Sequence, residues 1–326
     1  MKIYTEELCK NKIKRGISMK YTIVIPVYNS EMIVSATVEE ILKETKKENL
    51  DIEILLINDG SPDNSWNIIK NLAKKKKEVK SINLIKNFGQ HNAVLCGFEN
   101  ATGDYVITMD DDLQNPPSEI IHLVNKITKN EDTDLVFGKF REKKHAGYRK
   151  LGSKFIGYLN EKVFNKPKDI TLTNFRIAKK DVIDRVLKHN TAYPYIPGLL
   201  LMYSTKIENT MVEHHDRFDG KSNYTFTKIF SLMSNLLINY SSYPLKILST
   251  IGFVVSCLSF FIGLFFLISG FIGGVKVAGW TTLVVLVSFL GGFIIVLLGL
   301  IGEYLSRILD QMSNNKSYYI KEIVDE

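Results

Sequence analysis

The chain has 326 residues, of which 45% are hydrophobic, and its formal net charge is +7. This length allows one large domain or two smaller ones, and the basic charge suits partners that carry phosphate groups or anionic lipid. No zinc-finger spacing, basic heptad or aromatic-rich RNA motif accompanies the charge, so we expect no nucleic-acid partner. The three cysteines are an odd number without metal-ligand spacing, and they give no sign of an oxidising compartment.

The N-terminal half predicts alternating strands and helices. Residues 1–18 lack the apolar run of a signal peptide, and we expect a loose extension there. The predicted strands are Tyr21–Val27, Ile52–Ile57, Ser81–Lys86 and Asp104–Met109, and the helices that follow the first three are 30–47, a helix ending near 77, and 90–101. This alternation predicts βαβ units, and therefore a parallel sheet with helices on both faces.

Polar residues follow each of the four predicted strands. They are Tyr28-Asn29, Asp59, Asn87 and Asp110–Gln114, in chain order. In open α/β sheets, ligands bind outside the carboxyl ends of the strands. The sequence therefore predicts a binding site at this edge of the sheet.

The fourth of these loops is unusually acidic. Asp110, Asp111 and Asp112 are consecutive and follow the apolar run of the last strand. Like charges this close repel one another unless a counter-charge is present, and hard divalent cations bind carboxylates together with substrate phosphates. An acidic loop that caps a helix beginning at Pro116 is the alternative. The convergence of four polar loops favours a ligand site.

The common nucleotide and calcium motifs are absent from the sequence. No G-x-G-x-x-G follows a strand, which argues against a dinucleotide enzyme. Gly220-Lys221-Ser222 resembles the end of a P-loop, but position 215 is His rather than Gly. The glycine that an EF-hand requires does not follow Gln114. The remaining interpretation is a sheet that binds a nucleotide through side-chain pockets and a metal ion.

The C-terminal part is apolar. No charged residue occurs in 247–271 or in 281–302, and each stretch is long enough to cross a bilayer as a helix, so we expect two membrane spans. Apolar residues at helical spacing precede them in 224–240, which fits either an interfacial amphipathic helix or a core helix. Glycines in the second span, Gly291, Gly292 and Gly299, allow close helix packing, including between subunits of a homo-oligomer.

Charge around the spans predicts their orientation. Lys246 and Arg307 flank the two spans, whereas the loop between them carries only Lys276. The positive-inside rule then places the N-terminal α/β part and the C-terminus in the cytoplasm, on a multi-pass protein of the cytoplasmic membrane. Glu303 and Arg307, one helical turn apart, are expected to form a local ion pair. The predicted organisation is an N-terminal extension (1–18), an α/β domain (19–223), a juxtamembrane helix (224–244), a two-helix membrane region (245–307) and a C-terminal tail (308–326).

Several motifs together resemble glycosyltransferase family 2, the GT-A fold. They are Ile25–Asn29, Asn58–Asp63, Asn87–Gln90, Met109–Pro117, Asn174–Arg176, Arg217–Ser222 and Gly299–Arg307. Within the family the chain looks most like the polyprenyl-phosphate glycosyltransferases, over about residues 20 to 320. The resemblance implies an α/β catalytic domain, a nucleotide-diphosphate sugar as donor, a polyprenyl phosphate as acceptor and contact with membrane lipids.

The resemblance also implies roles for individual residues. Asp110 and Asp112 would bind Mg²⁺ or Mn²⁺ on the donor diphosphate, with Gln114 beside them. The residues implied in nucleotide-sugar binding are Pro26, Tyr28, Asp59, Asp111 and Lys221; Arg217 would contact the departing diphosphate; and Arg141, Arg149 and Ser153 would bind the acceptor phosphate. Two positions depart from the family pattern: Asn223 stands where many relatives have Lys, and Asn174 where some have Asp.

Two other functions remain as alternatives. One is a family 2 transferase with a different acceptor, including a processive polysaccharide synthase. Processive relatives carry a Q-x-x-R-W element, whereas neither Trp66 nor Trp280 follows an arginine. The other is a non-catalytic membrane module that keeps the fold, against which the retained cluster of aspartates argues.

Overall fold

The computed structural model describes residues 19–140, 156–189, 191, 193–215, 240, 243–272, 279–312 and 317–325. The chain forms two compact units. The first comprises Met1–Tyr224 together with Lys316–Glu326, and the second comprises Thr225–Asn315. The C-terminal residues therefore belong to the same unit as the N-terminal sheet.

The first unit is built on one eight-stranded sheet. Its strands are β1 (Lys20–Val27), β2 (Asp51–Asn58), β3 (Val79–Leu84), β4 (Tyr105–Thr108), β5 (Leu135–Phe140), β6 (Arg176–Lys179), β7 (Ile207–Val212) and β8 (Ile320–Val324). Their order across the sheet is β7-β5-β6-β4-β1-β2-β3-β8. The central strands β4, β1, β2 and β3 run parallel, whereas β6 and β8 pair antiparallel with β4 and β3.

Helices connect the strands. They are α1 (Val34–Lys47), α2 (Ser65–Ala73), α3 (Gln90–Asn100), α4 (Ile120–Lys129), α5 (Lys180–Leu187) and α6 (Ile196–Tyr203), with a 3₁₀ turn at Pro117–Glu119 and a further helical segment at 156–163. Helix α1 shows why these segments fold as they do. Val34, Val38 and Ile41 recur at helical spacing and are fully buried against the sheet. Asn49, in the left-handed conformation with φ of 51°, ends the helix.

The core confirms the predicted parallel sheet. Strands β1, β2 and β4 are buried along nearly their whole length, as expected where helices cover both faces. The four predicted strands agree with β1 to β4 to within two residues at each end. The helix predicted for 30–47 begins only at Val34, because 31–33 form a turn.

Strand β8 was not expected from the sequence, which indicated only a tail at 308–326. Ile320–Val324 pairs antiparallel with β3, with Ile323 opposite Ile82 and Val324 opposite Ser81. The segment is rich in β-branched residues with charges between them, which is a strand pattern. Its position after the apolar region obscured that signal.

The second unit contains two long helices, α7 (Tyr243–Phe271) and α8 (Trp280–Met312). Over the part of the chain that the structure describes, one helix is long and apolar enough to cross a membrane, at Phe289–Leu309 with a mean hydropathy of 2.0. A span in α7 stays a prediction. The expected ion pair is present, with Arg307 Nη2 2.7 Å from Glu303 Oε1.

Candidate active site

The candidate site lies at the carboxyl ends of the parallel strands. β1 and β2 end in register, with Val27 opposite Asn58, so the loops that follow them are neighbours. The Asp59 amide donates to Val27 O at 3.0 Å, and the Met109 amide donates to Val24 O at 3.3 Å. The structure thus brings three of the predicted polar loops to one edge of the sheet.

Asp59 follows β2, and its carboxylate is held by the protein itself. Oδ1 accepts a hydrogen bond from the Phe88 amide at 2.7 Å, and Oδ2 accepts one from the Gly89 amide at 2.9 Å. Burial raises the pKa of Asp59 and outweighs these two bonds, which act in the opposite direction. The carboxylate therefore fixes the loop after β3 against the loop after β2.

Gly60 makes this close approach of two loops possible. Its φ is +61°, in the left-handed region that favours glycine. A Cβ at this position would lie 2.4 Å from the Asn87 amide nitrogen, within contact distance of backbone. Any larger residue would push the two loops apart.

Tyr28 and Pro26, predicted for the nucleotide pocket, lie on and beside this edge. The Tyr28 side chain is 51% exposed, which leaves its ring free to stack on a flat ligand. Pro26 lines a small pocket that reaches from β1 to the acidic loop. The lining also includes Gln90, His91, Asp110, Asn174 and Arg176.

Asp110, at the end of β4, is held by two side-chain amides. Gln90 Nε2 donates to Oδ1 at 2.6 Å, and Asn174 Nδ2 lies 3.3 Å from Oδ2. Burial and the neighbouring Asp112 raise the pKa of Asp110. Asn174, a departure from the family pattern, therefore acts as a neutral hydrogen-bond donor to a carboxylate, where an aspartate would add a further like charge.

Asp111 is anchored through its backbone, and its side chain is only partly satisfied. The Asp111 carbonyl accepts a hydrogen bond from Thr37 Oγ1 at 2.9 Å. Its Oδ2 is buried and has no hydrogen-bond partner among the described residues. Burial raises the pKa of Asp111 to about 7. The flanking Asp110 and Asp112 act in the same direction, and a hydrogen bond from Ser30 acts against them.

Asp112 shapes the turn that follows. Its Oδ1 accepts a hydrogen bond from the Gln114 amide at 3.1 Å, with Leu113 between them at φ of 54°. The left-handed conformation is costly for a residue with a branched side chain and marks a constrained loop. The Gln114 carbonyl in turn accepts from the His215 amide at 2.8 Å, which ties the end of β7 to the acidic loop.

Two further side chains line the same small pocket as Asp110, the buried Arg176 and the partly buried His91. Arg176 lies on β6 opposite Thr108 of β4, and it is 2% exposed. Burial lowers its pKa to about 10, while the charge of Asp110 acts in the opposite direction. Burial and the charge of Arg176 lower the pKa of His91 to about 4, so this ring is neutral at pH 7. The sequence placed Arg176 in the Asn174–Arg176 motif but predicted no role for it. Nothing in the sequence identified His91 as a site residue.

The acidic loop fits a divalent cation that a substrate helps to bind. Within the described ranges, no three His, Cys, Asp or Glu side chains group as metal ligands. Mg²⁺ is commonly held by one or two carboxylates and completed by phosphate oxygens and water. Asp110 and Asp112 offer such a pair, and beside them Asp111 Oδ2 is a buried oxygen without a hydrogen-bond partner among the described residues.

Five predicted site residues lie outside the described residues. They are Arg141, Arg149, Ser153, Arg217 and Lys221. The segment predicted as an amphipathic helix, 224–244, is also largely outside them.

Comparisons with known proteins agree with this architecture. The family described as Glycosyl transferase family 2 matches residues 22–187. The undecaprenyl-phosphate 4-deoxy-4-formamido-L-arabinose transferase of Proteus mirabilis is 33% identical over 309 residues, which cover 94% of each chain. The protein of the same name from Photorhabdus laumondii is 31% identical over 310 residues, which cover 94% of this chain and 95% of the relative.

A solved structure also resembles the fold. It is glucosyl-3-phosphoglycerate synthase from Mycobacterium tuberculosis in complex with Mn²⁺, uridine diphosphate and phosphoglyceric acid. Its TM-score is 0.52 at 17% sequence identity, and the match covers 72% of this chain and 80% of the other. The expected GT-A fold is confirmed by this likeness.

Proposed function

The chain belongs to glycosyl transferase family 2, and on this premise we propose that it moves a single sugar from a nucleotide-diphosphate sugar to a polyprenyl phosphate. The two curated relatives, matched over nearly their whole length, are named for transfer to undecaprenyl phosphate. The anomeric carbon would be inverted, because a single in-line displacement by the lipid phosphate suffices.

The observation that carries the proposal is the acidic loop at the same sheet edge as Asp59, with a buried Asp111 oxygen that has no partner among the described residues. As the bond between sugar and diphosphate breaks, negative charge grows on the departing diphosphate. Fixed positive charge is most effective where such charge develops. Asp110 and Asp112 would hold Mg²⁺ or Mn²⁺, which when bound supplies that charge. Asp59, Tyr28 and Pro26 would receive the nucleoside.

Cationic side chains complete the proposed site. Arg217 and Lys221 would bind the donor diphosphate, since Arg offers a fork of donors matched to phosphate oxygens. In support, His215 is bonded to Gln114 in the acidic loop and precedes Arg217 by only two residues. Arg141, Arg149 and Ser153 would bind the acceptor phosphate.

The acceptor requires no separate general base. A phosphate monoester has a second pKa of about 6, so it is largely ionised at pH 7 and is already a nucleophile. The main task of the protein is to bring two anions together and hold them in line. This requirement agrees with the basic composition of the chain, a net charge of +7.

The membrane places the acceptor. We propose that α8 and α7 both span the cytoplasmic membrane, with the catalytic domain (19–223) and the tail (308–326) in the cytoplasm. The candidate span Phe289–Leu309 supports the first of these, and the charge-free run in α7 supports the second. An amphipathic helix within 224–244 would hold the site at the bilayer surface, and the glycines of α8 leave room for a homo-oligomer.

A donor panel tests the proposal directly. Membranes containing the full chain would be incubated with undecaprenyl phosphate, Mg²⁺ or Mn²⁺, and UDP-, GDP- or TDP-sugars in turn. We expect a lipid-linked monosaccharide from one class of donor, detected by mass spectrometry of the lipid extract. Loss of product after chelation of the metal is also expected. Product on a polysaccharide instead of the lipid, or undiminished transfer without metal, would contradict the proposal.

A further inference from the structure

One short stretch of chain contacts both carboxylate sites. The Phe88 and Gly89 amides donate to Asp59, and Gln90 Nε2 donates to Asp110. Residues 85–90, which we call the bridging loop, therefore set the distance between the two sites. Its geometry matters for any ligand that touches both.

The C-terminal segment contacts the start of the bridging loop. The Ile85 amide donates to the Tyr319 carbonyl at 3.0 Å, directly after the β3–β8 pairing ends. The Tyr319 ring lies against the Phe88 ring, with centroids 6.3 Å apart and planes at 46°. This tilted geometry is favourable for aromatic pairs. The residue whose amide binds Asp59 Oδ1 thus has its ring packed against the tail.

The same segment contacts the helix that follows the loop. Tyr318 is 5% exposed, and its hydroxyl donates to the Glu99 carboxylate near the end of α3. Gln90, which binds Asp110, is the first residue of that helix. A buried hydroxyl without a partner is costly, so this bond specifies where α3 sits.

Ion pairs also connect the C-terminal segment to α2 and β3 at the surface. Lys70 on α2 pairs with Glu322, and Lys80 on β3 pairs with Asp325 at 2.8 Å. The pairing with β3 shifts register between Asn83 and Leu84, immediately before the bridging loop. The C-terminal segment therefore contacts the chain at the point where β3 ends and the bridging loop begins.

We propose that the C-terminal segment 317–325 positions the bridging loop for nucleotide binding, with Tyr318 and Tyr319 as its positioning residues. The inference rests on the proposed function, because it takes the loops around Asp59 as part of the nucleoside site. Tyr319 acts through Phe88 on Asp59, and Tyr318 acts through α3 on Gln90. Neither tyrosine needs to touch the substrate.

Full-length variants in detergent test this role. Tyr319→Ala removes the ring while leaving the backbone carbonyl, Tyr319→Phe restores the ring, and Tyr318→Phe removes only the hydroxyl. Lys80→Ala is the matched control, because it breaks a contact of the same strand at the end away from the loop. Two readouts are used: hydrogen exchange of a peptide covering 85–90, and the Kd for UDP, GDP and TDP in the presence of Mg²⁺.

We expect Tyr319→Ala to speed exchange in 85–90 and to weaken the best-bound nucleotide by about two- to tenfold, the range for loss of one aromatic pair. Tyr318→Phe should weaken it less, and Tyr319→Phe and Lys80→Ala should match the wild type. Unchanged exchange in Tyr319→Ala would overturn the positioning role whatever the nucleotides do. A wild-type protein that binds none of the three nucleotides would overturn the proposed function, and with it the nucleotide part of this inference.

Discussion

The two carboxylate sites at the edge of the sheet are built in opposite ways. Asp59 is a single carboxylate with each oxygen bonded to a backbone amide, at 2.7 and 2.9 Å. The acidic loop, by contrast, crowds Asp110, Asp111 and Asp112 together, and one buried oxygen of Asp111 has no partner among the described residues. Both oxygens of the first site are bonded, whereas the second site has a buried oxygen that the described residues leave unpaired.

We infer from this difference that the Asp59 site shapes the edge of the sheet, whereas the acidic loop binds a ligand. Backbone amides are fixed by the fold, so Asp59 is held whether or not a nucleotide is present. Buried like charges cost free energy until a cation arrives. A ligand that carries phosphate and a divalent cation would therefore stabilise the acidic loop much more than the Asp59 loop.

The largest expected effect follows from removing a ligand of the cation. Asp112→Ala should lower sugar transfer by at least about 100-fold, because the charge that stabilises the leaving diphosphate is lost. The variant should remain folded, since it also relieves repulsion. Transfer to undecaprenyl phosphate, measured with the donor that the panel identifies, gives the activity.

A second readout ties that loss to the metal. Mg²⁺ or Mn²⁺ together with the nucleotide should raise the Tm of the wild type and fail to raise that of Asp112→Ala. Asp184→Ala, which removes a carboxylate paired with Lys180 on α5, serves as the control and should keep both properties. Equal activity in Asp112→Ala and Asp184→Ala would contradict a role for Asp112 in binding the cation.

The next effect concerns folding stability at the satisfied site. Asp59→Asn keeps one acceptor oxygen but turns an NH₂ group toward one of the two amides, Phe88 or Gly89. We expect the free energy of unfolding to fall by about 2 kcal/mol, the cost of a buried donor without an acceptor. Urea denaturation measures it. An unchanged midpoint would mean that the two amide bonds do not hold the loops together.

The sequence predicted much of this edge because simple patterns mark it. Short apolar runs fix β1 to β4, and the polar residues after them, Asp59 and Asp110 among these, follow from strand direction alone. The partners of those residues could not be predicted in this way. Gln90 and Asn174 reach Asp110 from 20 and 64 residues away, across a fold whose register only the structure provides.

Strand β8 shows a second limit of sequence reasoning. It is rich in β-branched residues, but an isolated strand has no partner until a sheet edge is available. Which edge is open depends on the order of all the other strands. The structure places β8 on β3, and the tail becomes part of the catalytic unit.

A smaller effect of opposite sign, a gain in folding stability on substitution, is expected for Asp111 in the acidic loop. Because the folded-state pKa of Asp111 is about 7, above its ordinary value of 3.8, the folded state binds more protons than the unfolded state between these values. The contribution of Asp111 to wild-type stability should therefore decrease as pH rises from about 4 to about 7. Asp111→Asn removes this loss, and we expect it to gain about 1–2 kcal/mol relative to the wild type at pH 8.

Urea denaturation of both proteins at pH 5 and pH 8 measures this gain without substrate or metal. The wild type with saturating Mg²⁺ and nucleotide should lose the pH dependence, because the cation then neutralises the loop. If Asp111→Asn were instead less stable than the wild type at pH 8, the loop would be satisfied after all. The contrast with Asp59 would then disappear.

The smallest expected effect concerns Asp134, a carboxylate away from the sheet edge that holds the candidate site. Burial alone would raise the pKa of Asp134, but hydrogen bonds from Thr205 and the Lys206 amide, with the charge of Lys179, outweigh it and lower the pKa. Thr205 donates to Oδ2 through its amide at 2.8 Å and through its hydroxyl at 2.6 Å. The groups around Asp134 therefore stabilise its ionised form more than water does.

Its pH dependence should have the opposite sign to that of Asp111. With the folded-state pKa below the unfolded value, the unfolded state binds more protons, so this contribution is present above about pH 4 and is lost as the pH falls further. Asp134→Asn should cost about 1 kcal/mol at pH 7, since a charge-assisted bond becomes a neutral one, and less at pH 3. The difference in urea midpoint between variant and wild type at these two pH values measures it. A cost that persists undiminished at pH 3 would show that shape, and not charge, holds β5 to the Thr205 turn.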